Sequence, residues 1–247
     1  MRFDGRMIFG AMATLLALAG CDKAADKASA PSGPIAAVAP PSGTSWTETV
    51  TLTPSGGYLM GNPNASVKLV EYASLTCPHC RDFSKEAAAP LRDTYVASGR
   101  VSWEFRSFAL NPIDVSATLL ATCQGPAPFF KLIEQSYQEQ EKWIQPFQKL
   151  SPAQQQALGA MPQEKQFQGL AKAGALDTFY RVRGLPGAKA DACLTDKAAI
   201  DRIVAIRERG IKDDNVEGTP TFLINGVKVE VPPSWKDLEP ELKKALG

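Results

Sequence analysis

The stretch "SVKLVEYASLTCPHC", residues 66–80, alternates for nine positions and then breaks into two cysteines with two residues between them. The alternation places Val67, Leu69, Glu71 and Ala73 on one face and Lys68, Val70, Tyr72 and Ser74 on the other, the signature of a strand. Glu71 therefore sits among apolar neighbours, an unusual place for a carboxylate. From Cys77 the period changes: Cys80, Phe83, Ala87 and Leu91 recur at three- and four-residue spacing, which predicts a helix. Pro78 fits its first turn, where a missing N–H has no partner to lose, and Pro90 in the interior predicts a kink. Gly99 ends the segment. "RVSWEFRSF", residues 100–108, alternates again, with Val101, Trp103 and Phe105 on one face, and reads as a second clear strand.

The two cysteines admit three readings: a working redox pair, a structural disulfide, or half of a zinc site. Zinc needs further ligands, yet His79 is the only histidine and the other cysteines are solitary. A strand that runs straight into a helix opening with C-x-x-C is the thioredoxin arrangement.

Outward from this unit, Thr47 to Thr53 reads as an earlier strand, with a turn at Gly56-Gly57. From Asn111 to about Asp214 no strand pattern occurs. Helix starts at Ser151-Pro152 and Asp196 and stops at Gly184 and Gly210 predict four to six helices. "TPTFLINGVKVEV", residues 219–231, predicts a hairpin: Thr221 to Ile224, an Asn225-Gly226 turn, then Val227 to Val231. A last helix covers roughly Ser234 to Leu246, with Leu238, Leu242 and Leu246 on one side and a bend or true start near Pro240. No internal repeat is found.

The chain's 247 residues suffice for one substantial domain, and 27 Lys+Arg against 26 Asp+Glu leave no basic footprint for nucleic acid. Its beginning differs from the rest. Arg2 and Arg6 precede an apolar run from Met7 to Gly20, too short to span a bilayer comfortably, which reads as a signal peptide. The run ends Leu18-Ala19-Gly20-Cys21, which resembles the lipobox of bacterial lipoproteins; the resemblance implies lipidation of Cys21 and a membrane anchor. The other reading is an ordinary signal peptide with a chance cysteine. Residues 22–45, rich in Ala, Pro, Ser, Gly and Lys, read as a flexible tether with an r.m.s. span of about 25–30 Å. Export permits disulfides. Five cysteines less the lipidated one leave four; the short spacing favours Cys77 with Cys80, and hence Cys123 with Cys193 as a structural staple.

"EYASLTCPHC", residues 71–80, resembles the active-site region of the DsbA family of thiol-disulfide oxidoreductases, and so does the distal "GTPTFLING", residues 218–226. The likeness spans roughly residues 46–247. It implies an α/β fold, a thioredoxin fold with an inserted all-helical subdomain at about 111–214. It also implies a cis peptide between Thr219 and Pro220. Cys77 would be the exposed nucleophile at the helix N-terminus, where unpaired N–H groups favour its anion; His79 would add to that effect and Cys80 would be the buried partner. Glu71 matches the family's buried acid and would relay a proton to Cys80, Pro220 would lie against the disulfide, and the Thr219 backbone would pair with substrate. The expected activity is donation of the Cys77–Cys80 disulfide to exported proteins with reduced cysteines. No cofactor or metal is expected. A DsbB-type quinone-linked membrane protein would reoxidise the chain, a monomer anchored in the periplasm through Cys21. The rivals are an isomerase or reductase of the same fold, whose members typically carry an N-terminal dimerisation module for which residues 22–45 leave no room, and an anchored binding lipoprotein without redox activity.

Overall fold

The computed structural model describes residues 35–247; the expected signal peptide, Cys21 and the first part of the expected tether lie outside the described residues. Six strands form one sheet: β1 (Val50–Leu52), β2 (Tyr58–Gly61), β3 (Val67–Ala73), β4 (Val101–Ser107), β5 (Thr221–Ile224) and β6 (Val227–Val229), in the order β1-β2-β4-β3-β5-β6. The central pair β3 and β4 is parallel, Glu71 lying opposite Phe105, and the other pairs are antiparallel. Parallel neighbours need a crossover, supplied by α1 (Pro78–Pro90). Every residue of β3 but Lys68 is buried, because both faces of the sheet are covered.

Val67, Leu69, Glu71 and Ala73 face a large core shared with α1 and with the last helix, α10 (Trp235–Leu246). Leu238, Leu242 and Leu246 are buried in it, each worth about 2 kcal/mol in transfer from water. Val70 and Tyr72 face a smaller cluster with Phe108, Val216 and Leu223, closed by Ile206 of α9 (Lys197–Lys212). Between β4 and β5 the chain forms α2 (Pro112–Thr122), α3 (Phe129–Gln138), α4 (Gln140–Gln148), α5 (Pro152–Gly159), α6 (Gln163–Ala173), α7 (Leu176–Arg181), α8 (Gly187–Cys193) and α9. Cys123 and Cys193 are disulfide-bonded across this block.

Several expectations change. The block holds eight helices among the described residues, rather than four to six, because several are only about two turns long and the breaks between them are short. Gly210 lies inside α9, which runs on to Lys212. A Cβ there would stand 3.0 Å from Tyr72 Cε1 and 3.2 Å from Phe108 Cδ2, so the glycine serves close approach of helix to sheet. Strand β2 was not anticipated, the first strand is shorter than Thr47–Thr53, and the hairpin's second strand stops at Val229. At Pro90 the α-helix gives way to a π-helical turn, Leu91–Val96, which accommodates the proline. α10 starts at Trp235, capped by the Ser234 side chain, and carries Pro240 inside it. Residues 35–45 lack helix and strand, yet they are docked: Ile35 N–H donates to Leu246 O (2.9 Å) and Trp46 Nε1 to Val38 O (2.7 Å). The folded part thus begins by residue 35.

Candidate active site

Cys77 is the N-cap of α1, with extended φ and ψ of −81° and 124°, and Pro78 takes the first helical position. Its side chain makes no cap hydrogen bond, and the unpaired first-turn N–H groups of His79 and Cys80 favour an anion at its sulfur. Against the expectation of an exposed sulfur, Cys77 is only 6 % exposed; Cys80, one turn on, is fully buried, and both are free thiols. Across from Cys77 the chain between α9 and β5 brings in the cis peptide Thr219–Pro220. Its placement follows from β5 pairing with β3, Thr221 opposite Tyr72. Cys77 Sγ lies 3.3 Å from Thr219 O and, while it carries its proton, can donate to it.

The electrostatics divide the two thiols. A hydrogen bond from the Cys80 thiol is the largest influence on Cys77; the Thr219 side chain and the backbone N–H groups of Cys80 and His79 act in the same direction, outweighing partial burial and lowering the thiol to about 5. Burial pushes Cys80 well up, and the neighbouring Cys77 adds to it. Cys80 Sγ also accepts from Ser74 N–H at 3.5 Å. His79 therefore reaches Cys77 through its backbone, its side chain being exposed. Glu71, 1 % exposed, accepts from Trp103 Nε1 (2.9 Å), yet burial outweighs that bond and raises the carboxyl to about 8. Glu71 has no hydrogen bond to Cys80 among the described residues; its charge reaches that sulfur through space.

The structure thus brings Glu71, Cys77, Pro78, His79, Cys80, Thr219 and Pro220 to one end of the sheet. Cys123 and Cys193 lie apart from it, in the helical block. Among the described residues no three His, Cys, Asp or Glu side chains gather as a metal site.

Sequence reasoning missed the groups that hold the loop before Cys77. Gln140 Nε2 donates to both Leu75 O (2.8 Å) and Cys77 O (2.9 Å), and Tyr137 Oη donates to Ser74 O (3.1 Å). Asp114 accepts from Leu75 N–H (3.0 Å), Leu110 N–H (2.9 Å) and the Ser74 hydroxyl. Asn111 Nδ2 donates to Thr76 Oγ1 (3.0 Å). The sequence held one signal: Asn111-Pro112 followed by Asp114 reads as a helix cap, and Asn111 does accept from Asp114 N–H. Nothing local marks Gln140.

A thioredoxin family model matches residues 53–244. A relative from Rickettsia bellii, described as "Putative protein-disulfide oxidoreductase", is 26 % identical over 175 residues, covering 70 % of this chain and 58 % of the relative. The chain spans somewhat more than half the length of the curated relatives it matches. Among solved structures, a protein-disulfide isomerase from Novosphingobium aromaticivorans is 32 % identical with a TM-score of 0.73, over 76 % of this chain and 96 % of that one. Alpha-DsbA1 of Wolbachia pipientis, 22 % identical, shares the fold with a TM-score of 0.62 over 82 % of this chain and 96 % of its own. With a matched model over most of its length and the helical block between β4 and β5, the chain belongs to the thioredoxin family and has the fold of its DsbA-type members.

Proposed function

We propose that the chain is a thiol–disulfide oxidoreductase acting as an oxidase, with Cys77 as its nucleophilic sulfur. The observation that carries this reading is the pairing of an acidic Cys77 at the head of α1 with a buried, weakly acidic Cys80. At pH 7 a thiol of pKa about 5 is almost wholly anionic, whereas one of the ordinary 9.0 is almost wholly protonated. Of the four units between these values, the two lying below pH 7 count at that pH, and they favour the reduced pair by about 3 kcal/mol, or about 60 mV toward a more oxidising couple.

In the reaction a client thiolate attacks Cys77 Sγ of the disulfide. The client–Cys77 bond forms, the Cys77–Cys80 bond breaks, and the electron pair leaves on Cys80. Burial makes the Cys80 anion unfavourable, so it departs with a proton. Glu71, mostly neutral at pH 7 with its pKa near 8, is the nearby acid that supplies this proton. A second client thiolate then attacks the client sulfur and releases Cys77 as the anion. The client gains a disulfide and the chain takes up two electrons. In this reading Pro220, next to the Thr219 carbonyl that lies 3.3 Å from Cys77 Sγ, flanks the disulfide of the oxidised chain, and the Thr219 backbone pairs with an extended client segment.

The clients are exported proteins, and a DsbB-type quinone-linked membrane protein returns the chain to its oxidised form. The lipobox-like Leu18-Ala19-Gly20-Cys21 supports a periplasmic site anchored through Cys21. Palmitate that labels Cys21→Ala as well as the unaltered chain argues against the anchor. An isomerase is the second reading, favoured by the description of the Novosphingobium aromaticivorans relative. The deciding experiment equilibrates the Cys77–Cys80 couple with glutathione, then compares oxidation of a reduced peptide with refolding of scrambled ribonuclease. A readily reduced couple with fast peptide oxidation supports the oxidase; efficient unscrambling with slow oxidation supports the isomerase. Unimpaired function in Cys77→Ser, with no client trapped by Cys80→Ser, returns the chain to a binding role.

A further inference from the structure

Asp114 is a fully buried carboxylate in the first turn of α2, and no cation hydrogen-bonds it among the described residues. It faces the turn that delivers Cys77: Ser74 O accepts from Cys77 N–H at 3.2 Å, and Asp114 grips the same turn at the Ser74 hydroxyl and the Leu75 N–H. We propose that Asp114 is a positioning residue for disulfide exchange, whose carboxylate fixes the Ser74–Cys77 turn and whose charge opposes the Cys77 anion. This inference rests on the oxidoreductase reading and assigns to the helical insertion a part in setting the couple.

An anionic carboxylate bonded to Leu75 N–H, two residues before the thiolate of Cys77, repels that thiolate in a low-dielectric core. Three donors hold the carboxylate, and against them stand burial and the Cys77 charge, which together raise Asp114 to about 6. The other titratable groups facing it are the hydroxyls of Tyr137 on α3 and Tyr180 on α7, both kept neutral by burial. When two glutathione thiols reduce the Cys77–Cys80 disulfide, they surrender two protons and two electrons and become glutathione disulfide. One proton goes to Cys80; the other goes to Asp114 where that carboxylate takes it up, and otherwise to solvent. Forming the disulfide removes the Cys77 charge and lowers the affinity of Asp114 for its proton.

The test compares the whole chain with its Asp114→Asn variant, by thiolate absorbance against pH and by equilibrium with glutathione at pH 7. The amide retains an acceptor for Leu75 N–H and carries no charge. The variant should ionise Cys77 at least about half a unit lower, and shift the equilibrium about three-fold toward the reduced chain. Titration and equilibrium that match the unaltered chain overturn the proposal. Should the variant fail to fold, the unaltered chain with ¹³C-labelled aspartate carboxyls decides. One carboxyl should titrate near pH 6 in the dithiol form and distinctly lower in the disulfide form; none that moves with oxidation overturns the role. An unaltered chain whose Cys77 ionises like a free thiol, or that exchanges nothing with glutathione, refutes the oxidoreductase reading itself, and this is seen before any Asp114 variant is made.

Discussion

Replacing Glu71 by Gln should change how stability responds to pH more than it changes the fold. The carboxyl is held near 8 by burial against an ordinary value of 4.5. The folded chain therefore binds this proton more tightly than the unfolded chain does. The resulting stabilisation is complete below about pH 4.5 and is lost as the pH rises through 8. Inside that window each pH unit costs about 1.4 kcal/mol, tapering as the folded group begins to ionise, so the step from pH 6 to pH 8 removes about 2 kcal/mol. Asp114 acts with the same sign, but between its ordinary 3.8 and about 6, which leaves the upper interval to Glu71. Glutamine keeps a carbonyl oxygen for Trp103 Nε1 and cannot ionise. Urea unfolding of the disulfide-oxidised chain at pH 6, 7 and 8 measures the difference with both thiols silenced. The unaltered chain should lose about 2 kcal/mol relative to Glu71→Gln over this range. Parallel profiles for the two proteins would refute the claim that a neutral carboxyl is buried on β3 beside Trp103.

Three further outcomes follow from the packing. Gln140→Ala leaves the carbonyl of Leu75 buried without its donor and should cost about 1–3 kcal/mol in chemical denaturation; a change below about 0.5 kcal/mol would mean that water replaces the amide. Serine at both Cys123 and Cys193 opens a loop of 70 residues and should lower stability by about 4 kcal/mol while leaving the Cys77–Cys80 equilibrium with glutathione unchanged; an altered equilibrium would make this pair part of the redox chemistry. Gly210→Val drives a branched side chain into Tyr72 and Phe108 and should lower the urea midpoint by an amount equivalent to about 2 kcal/mol; an unchanged midpoint would show that α9 can move off the sheet.

What could be read in advance depended on range along the chain. Glu71 was legible as a carboxylate in an apolar row because a strand's alternation is local, and Asn225-Gly226 was legible because two positive φ angles, 52° and 81°, select those residues. Cys77, Pro78 and Cys80 declared themselves by spacing, whereas the cis bond at Thr219–Pro220 came from family resemblance alone. Strand β2 escaped notice: Tyr58–Gly61 is four residues directly after a turn, too short for a period to show. The brief helices of the block hid for the same reason. Asp114 was invisible as a site residue because an acid at a helix's third position ordinarily faces water; that it faces the Cys77 turn is decided by packing between segments about forty residues apart. Gly210 misled because glycine so often ends helices, while here the nearness of two aromatic rings required it.

The side chains of Gln140 and Tyr137 reach out of the inserted helices to the main chain beside the reactive sulfur. The insertion is thus not an appendage that could be trimmed without touching the reactive loop. Cutting it out would strip the reactive loop of its scaffolding and leave peptide groups facing an empty interior. Any attempt to transplant this chemistry onto a minimal host must carry α3 and α4 along, together with the start of α2 that supplies Asn111 and Asp114, or redesign the loop to stand unaided.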